Sequence, residues 1–172
     1  VKRFDGTNWP MLGEYGYSPG QIETNRLAIS SSGIPFSAFK DYENGGKLTV
    51  KKFVNGAWTF VGAPGFTAGA VNNVRIAAGK NDTMFVLYTT TAGFVQKTVV
   101  IRYDGVSWVE LGSGTNTVST AELTDVSLAT DTSGVLLVAF VDPAYFDACH
   151  VRKFENGTWS SVGGGVVNPP PA

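Results

Sequence analysis

The feature that most constrains this chain is the even placement of its four tryptophans. Trp9, Trp58, Trp108 and Trp159 lie 49, 50 and 51 residues apart. One nine-residue frame ends at each of them: VKRFDGTNW, VKKFVNGAW, VIRYDGVSW and VRKFENGTW. A glycine follows every Trp four residues later, at Gly13, Gly62, Gly112 and Gly163. Recurrence at a fixed period of this length marks a repeat architecture, in which each unit buries its faces against its neighbours.

A second block recurs upstream of the last three tryptophans: RLAISSSGIPFSAF (26–39), RIAAGKNDTMFVLY (75–88) and SLATDTSGVLLVAF (127–140). Each has short apolar flanks around a polar turn, which is the length and composition of strands rather than helices. One unit therefore reads as four strands: A (Arg26–Ser30), B (Pro35–Phe39), C (Leu48–Phe53) and D (Trp58–Val61). The C–D turn takes two forms. Asn55-Gly56 and Asn156-Gly157 offer the paired positive φ angles of a type I′ hairpin, while Asp5-Gly6 and Asp104-Gly105 place Gly for a type II′ turn. Both keep the register in which Phe4, Phe53, Tyr103 and Phe154 stand opposite Trp9, Trp58, Trp108 and Trp159. Such aromatic pairs add about 0.2–1 kcal/mol each.

Runs such as Met84–Tyr88 and Val135–Phe140 are apolar at nearly every residue, so these strands are expected to be covered on both faces. Four-stranded units of about 50 residues with two covered faces are blades of a β-propeller. The sequence thus predicts an all-β chain of about three and a half blades. A half blade spans 1–13, full blades span 26–62, 75–112 and 127–163, and 164–172 forms a Gly/Pro-rich tail or linker. Closed propellers have roughly 4–8 blades. The chain is therefore read as part of a longer propeller or as one copy in a multi-chain ring, with the first favoured.

The W-x-x-(V/L)-G ending, the DG or NG hairpin and the LAI…SG…AF block resemble the repeats of bacterial secreted or surface β-propeller proteins. More distantly they are similar to lectin-type and kelch-type propellers. The resemblance implies a secreted or cell-surface location and a role in binding or scaffolding.

Composition removes several chemistries. With 13 Lys+Arg against 14 Asp+Glu, the net charge of −1 offers no footprint for nucleic acid. No apolar run approaches the ~18–20 residues of a membrane-spanning helix. One Cys excludes an internal disulfide, and one His excludes a His-rich metal centre. Cys149 and His150 are neighbours read as a buried Cys and a loop His, pointing to opposite faces and so unable to form a dyad. No catalytic residue, metal ligand or cofactor is predicted.

Candidate binding residues lie in the connections expected to share one face, namely the D–A loops 14–25, 63–74 and 113–126 and the B–C loops 40–47, 89–97 and 141–149. They are the aromatics Tyr15, Tyr17, Tyr42, Phe66, Phe94 and Tyr145, with the polar Asp41, Asn44, Asp142 and Asp147. Aromatic surfaces beside hydrogen-bond acceptors suit sugars, while the first reading of the same aromatics is that they fill gaps between blades. Asp41 and Asp142 recur at one position and read first as turn caps, second as sugar or cation contacts. Strand alternation puts Lys2, Lys51 and Arg152 on the Trp face, within diagonal reach of the rings. The expected function is a non-catalytic binding module, with glycans, another surface protein, the remaining blades or other copies of the chain as partners. The alternatives are a structural spacer and a fragment of a propeller hydrolase or lyase.

Overall fold

The computed structural model describes residues 1–92, 95–119, 123–143 and 147–167. It contains twelve strands in three four-stranded antiparallel sheets, each an up-and-down meander. Sheet I is β1 (Ile22–Ile29), β2 (Pro35–Asp41), β3 (Lys47–Val54) and β4 (Ala57–Phe60). Sheet II is β5 (Val71–Ala78), β6 (Met84–Ala92), β7 (Val95–Tyr103) and β8 (Trp108–Glu110). Sheet III is β9 (Thr124–Thr130), β10 (Leu136–Asp142), β11 (Ala148–Glu155) and β12 (Thr158–Val166). All-β architecture with four-stranded units is therefore the fold. No strand pairing joins the third sheet back to residues 1–13 among the described residues.

The turn chemistry works as the sequence indicates. Asn55 and Gly56 have φ of 52° and 82°, and Asn156 and Gly157 have 51° and 81°. The register sets Phe53 opposite Trp58, Tyr103 opposite Trp108 and Phe154 opposite Trp159. Ring centroids in these pairs lie 5.1–5.6 Å apart. In the Asp-Gly turns the carboxylate closes the loop, with Asp5 Oδ1 accepting from the Thr7 and Asn8 amides and Asp104 Oδ1 from those of Val106 and Ser107. These charge-assisted bonds hold both carboxyls below the usual range.

Alternation along β2, β6 and β10 divides each sheet into two faces. Phe36 and Ala38 of sheet I pack with Met84, Val86 and Tyr88 of sheet II. Phe85 and Leu87 of sheet II pack with Leu136, Val138 and Phe140 of sheet III. Each core is thus shared by two consecutive sheets, which explains why Met84–Tyr88 of the middle sheet are buried throughout.

Four expectations change. The 1–13 segment is a hairpin joined by backbone hydrogen bonds from Leu12 to Val1, Arg3 to Pro10 and Asp5 to Asn8, with one bridge, Lys2 to Met11, in place of two regular strands. Strand β1 is largely exposed because no sheet among the described residues covers its outer side, and Leu27 and Ile29 are each 51% exposed. The connection expected at 89–97 is mostly strand, since β6 and β7 stay paired out to Ala92 and Val95. His150 lies within β11 and stacks on Phe140 at 5.5 Å, and Cys149 is half-buried. A further feature was not read from the sequence: each first strand carries a register shift at one non-glycine residue with positive φ. These residues are Thr24, Asn73 and Asp125, at 50°, 49° and 46°.

Candidate functional site

Consecutive units meet through one recurrent contact. The Trp58 Nε1–H donates to the carbonyl of Leu12 at 2.8 Å, Trp108 to Val61 at 2.9 Å and Trp159 to Leu111 at 2.9 Å. The acceptor always directly precedes Gly13, Gly62 or Gly112. A Cβ on these glycines would stand 3.0–3.2 Å from Cδ1 of the incoming indole. The recurrent spacing W-x-x-x-G therefore seats the next unit's tryptophan, with each Gly also in the left-handed region.

Above each indole, the loop that follows the glycine decides what surface remains. Between sheets I and II, Phe66 lies parallel to Trp108, with centroids 5.7 Å apart and planes within 6°. A cleft of about 340 Å³ opens beside this stack. Its other walls are Thr67–Gly69, Tyr88, Thr90, Lys97, Ile101 and Glu110. Alternation explains the gathering, because Tyr88 and Thr90 of β6, Lys97 and Ile101 of β7, and Trp108 and Glu110 of β8 all project from the face of sheet II that meets sheet I. Lys97 Nζ lies 3.5 Å from Glu110 Oε1, and both side chains are close to half exposed. Burial, with a smaller contribution from Glu110, pushes the Tyr88 phenol up to about 12. That phenol remains a hydrogen-bond donor at any physiological pH. Thr90 Oγ1 donates to the Ala70 carbonyl at 2.8 Å.

The preceding junction has a smaller counterpart of about 270 Å³ lined by Glu14, Gly16, Tyr17, Lys51 and Trp58, among others. Tyr17 sits over Trp58 at 4.9 Å, as Phe66 sits over Trp108. Its hydroxyl lies 2.9 Å from Ser37 Oγ, and Lys51 Nζ donates to the Tyr17 carbonyl at 2.6 Å. Here the polar groups bind one another. Burial holds the Lys51 ammonium below its ordinary value, and its cation–π contact is with Phe60 at 4.5 Å rather than with Trp58. Arg152, at the matching position of sheet III, donates to the Thr117 and Val118 carbonyls. At the junction of sheets II and III, a cleft of about 480 Å³ opens at the opposite end, beside Ser133–Gly134 and Asn156–Gly157.

The candidates named from sequence are thus distributed rather than gathered. Phe66 and Tyr17 line the two junction clefts. Tyr15 is 94% exposed. Asp41 is fully buried, accepting from the Glu43 amide, Asn44 Nδ2 and Thr49 Oγ1, so Asp41 and Asn44 build a turn. Tyr42 donates to Glu23 Oε2 with Lys40 5.3 Å above its ring. Asp142 is buried, and Asp147 is exposed at a positive-φ turn position. Phe94 and Tyr145 lie outside the described residues. The sequence reading missed Trp108, Lys97, Glu110 and Tyr88 as one group. Their common parity on adjacent strands was the available signal.

No protein-family model and no curated protein sequence matches the chain. Solved structures do share its fold. A PL25 ulvan lyase superposes with a TM-score of 0.64 at 13% identity, covering 98% of this chain and 48% of the lyase. A putative glycoside hydrolase from Parabacteroides distasonis gives 0.55 at 14% identity, covering 95% of this chain and 60% of the hydrolase. A fucose lectin from Kordia zhangzhouensis, solved with methyl-fucoside, gives 0.53 at 13% identity, covering 81% of this chain and 99% of the lectin. The chain spans just under half the length of the ulvan lyase. At these identities the shared property is the all-β fold of stacked four-stranded antiparallel sheets.

Proposed function

We propose that the three sheets are propeller blades and that the chain is a non-catalytic carbohydrate-binding module of a secreted or cell-surface protein. A saccharide is seated in the cleft beside Phe66 and Trp108. The observation that carries this reading is the pairing of an aromatic wall with the half-exposed Lys97–Glu110 couple. A pyranose presents an apolar C–H face and a rim of hydroxyls, so it needs apolar surface on one side with charged donors and acceptors at the edge. A volume of about 340 Å³ is at the small-ligand end of binding pockets. The lectin, lyase and hydrolase names of the structural neighbours support the ligand class.

Binding is favoured over cleavage by the cleft lining, where Glu110 is the one carboxylate among the described residues. Glycoside hydrolysis generally uses two carboxyl groups roughly 5–9.5 Å apart. The test is a glycan array containing fucosides and uronate- and rhamnose-containing oligosaccharides, followed by titration calorimetry on the best ligand. Lys97→Ala and Glu110→Gln are each expected to weaken binding about tenfold or more, corresponding to about 1.4 kcal/mol, while the thermal melt stays unchanged. An array without signal would favour the structural spacer. Shortening of an oligosaccharide during incubation would favour the enzyme reading.

A further inference from the structure

The three sheets carry different charges at one cross-strand pair of their common frame. Seven residues before each tryptophan stand Lys51, Ile101 and Arg152, and two residues after it stand Phe60, Glu110 and Ser161. The register pairs Lys51 with Phe60, Ile101 with Glu110 and Arg152 with Ser161. In sheets I and III the cation of the pair is bound by the loop that precedes the sheet. Lys51 Nζ donates to the Tyr17 carbonyl at 2.6 Å, and Arg152 Nη1 donates to the Thr117 and Val118 carbonyls at 2.6 and 3.0 Å.

Sheet II has the matching loop without the cation. Counted from the preceding glycine, Phe66, Thr67 and Ala68 correspond to Tyr17, Thr117 and Val118, and all three line the cleft of about 340 Å³. Among the described residues no side chain donates to their carbonyls, since Thr67 Oγ1 and Thr90 Oγ1 donate further along, to Gly69 and Ala70. Ile101 instead gives the cleft an apolar wall. Across the ladder, Glu110 stands where sheet I has the Phe60 ring 4.5 Å from the Lys51 ammonium. The pair is therefore cationic in sheets I and III and anionic in sheet II. Lys97 touches Glu110 at 3.5 Å, but both side chains are close to half exposed. Exposed ion pairs hold weakly, so Glu110 can exchange this partner for a cation brought by a ligand.

We infer that the saccharide taken by this cleft is an amino sugar with a free, protonated amine. Its ammonium occupies the place that Lys51 and Arg152 fill in the flanking junctions, between Glu110 and the Phe66–Ala68 carbonyls. Its C–H face lies along the stack of Phe66 and Trp108. An ammonium offers three donors and no acceptor, which suits a carboxylate beside backbone carbonyls. Acetylation of the amine removes the charge and two of the three donors, so the site discriminates against it. Lys97, released from Glu110, donates to the sugar hydroxyls. This inference rests on the saccharide reading above and names the sugar class.

Titration calorimetry with glucosamine oligosaccharides and their N-acetylated counterparts of equal length, below neutral pH, tests the assignment. The wild type is expected to bind the amine form at least about tenfold more tightly. Glu110→Gln keeps the shape and removes the charge, and is expected to bring the two forms within about threefold of each other. Ile101→Lys supplies the cation from within the chain, as Lys51 does in sheet I, and is expected to weaken the amine form about tenfold or more. Ile101 is buried, so if that variant does not fold, Glu110→Gln at its exposed position carries the test. Equal affinity for the two forms, a preference for the acetylated form, or an amine preference that Glu110→Gln leaves intact would overturn the amino-sugar assignment. Binding of a neutral or acidic sugar that Lys97→Ala weakens would then leave the broader saccharide reading standing, whereas binding of no sugar at all would remove both.

Discussion

The junction of sheets I and II and that of sheets II and III share one tryptophan–glycine contact and differ in the loop that follows the glycine. Four residues after Gly62 stands Phe66, which lies flat on Trp108 and leaves a cleft beside it. Four residues after Gly112 stands Asn116, whose Oδ1 accepts from the Trp159 amide while its Nδ2 donates to the Gly157 carbonyl. Arg152 adds its bonds to Thr117 and Val118, and the loop closes over Trp159. The tryptophan–glycine contact thus sets how sheets meet, and the residue four places after the glycine sets whether the rim above it is open.

The largest effect expected from this contrast is at the glycines. A Cβ on Gly112 would collide with the backbone carbonyl of Asn116, whereas at Gly62 the nearest atom is Trp108 Cδ1 at 3.2 Å. Gly62→Ala is expected to cost about 1–2 kcal/mol for its left-handed backbone. Gly112→Ala must also displace a loop and is expected to cost at least about 3 kcal/mol. Denaturant melts giving equal losses would break the comparison.

A middle-sized effect is expected at Asn116. Asn116→Ala leaves the Trp159 amide and the Gly157 carbonyl without this partner and is expected to cost about 1–3 kcal/mol by the same melts. A loss below that range would mean that Arg152 alone closes the rim.

The smallest effect concerns acid. Across the first junction, Asp82 Oδ1 accepts from Ser31 Oγ at 2.8 Å and from the Ser32 amide at 2.7 Å. Ser32 leads the donors that hold this carboxyl well below its ordinary value of 3.8. A carboxyl depressed in the folded state contributes stability above its unfolded pKa and loses it as pH falls through the folded value. Melting temperature should therefore fall below pH 3.8 in the wild type, and more shallowly in Asp82→Asn. Identical acid limbs would remove Asp82 from the account. At the matching turn of the next junction stands Gly134, where a Cβ would lie 3.3 Å from Lys80 Cγ.

The repeat frame, the hairpin turns and the aromatic pairs were legible because they depend on residues near one another in sequence. Asn55-Gly56 specifies its turn locally, and the turn fixes the register of Phe53 with Trp58. The purpose of the glycines was not legible, since the atom that Gly62 makes room for belongs to Trp108. Nor were the register shifts at Thr24, Asn73 and Asp125: Asn and Asp tolerate positive φ, but strand pairing decides which of them adopts it. The cleft lay between these cases. Lys97 and Glu110 belong to paired strands whose register a period-two reading gives, but only the Phe66 loop shows that the face has a wall.

The tryptophan donor and the glycine notch travel on the same 50-residue unit. Every unit therefore carries both the key for its predecessor and the lock for its successor. Each apolar core is confined to two consecutive sheets, so a unit copied in frame finds a matching surface on either side without any compensating change elsewhere. Gene duplication can lengthen such a chain one whole unit at a time. Loop positions such as 66 and 116 are then free to diverge independently in each copy.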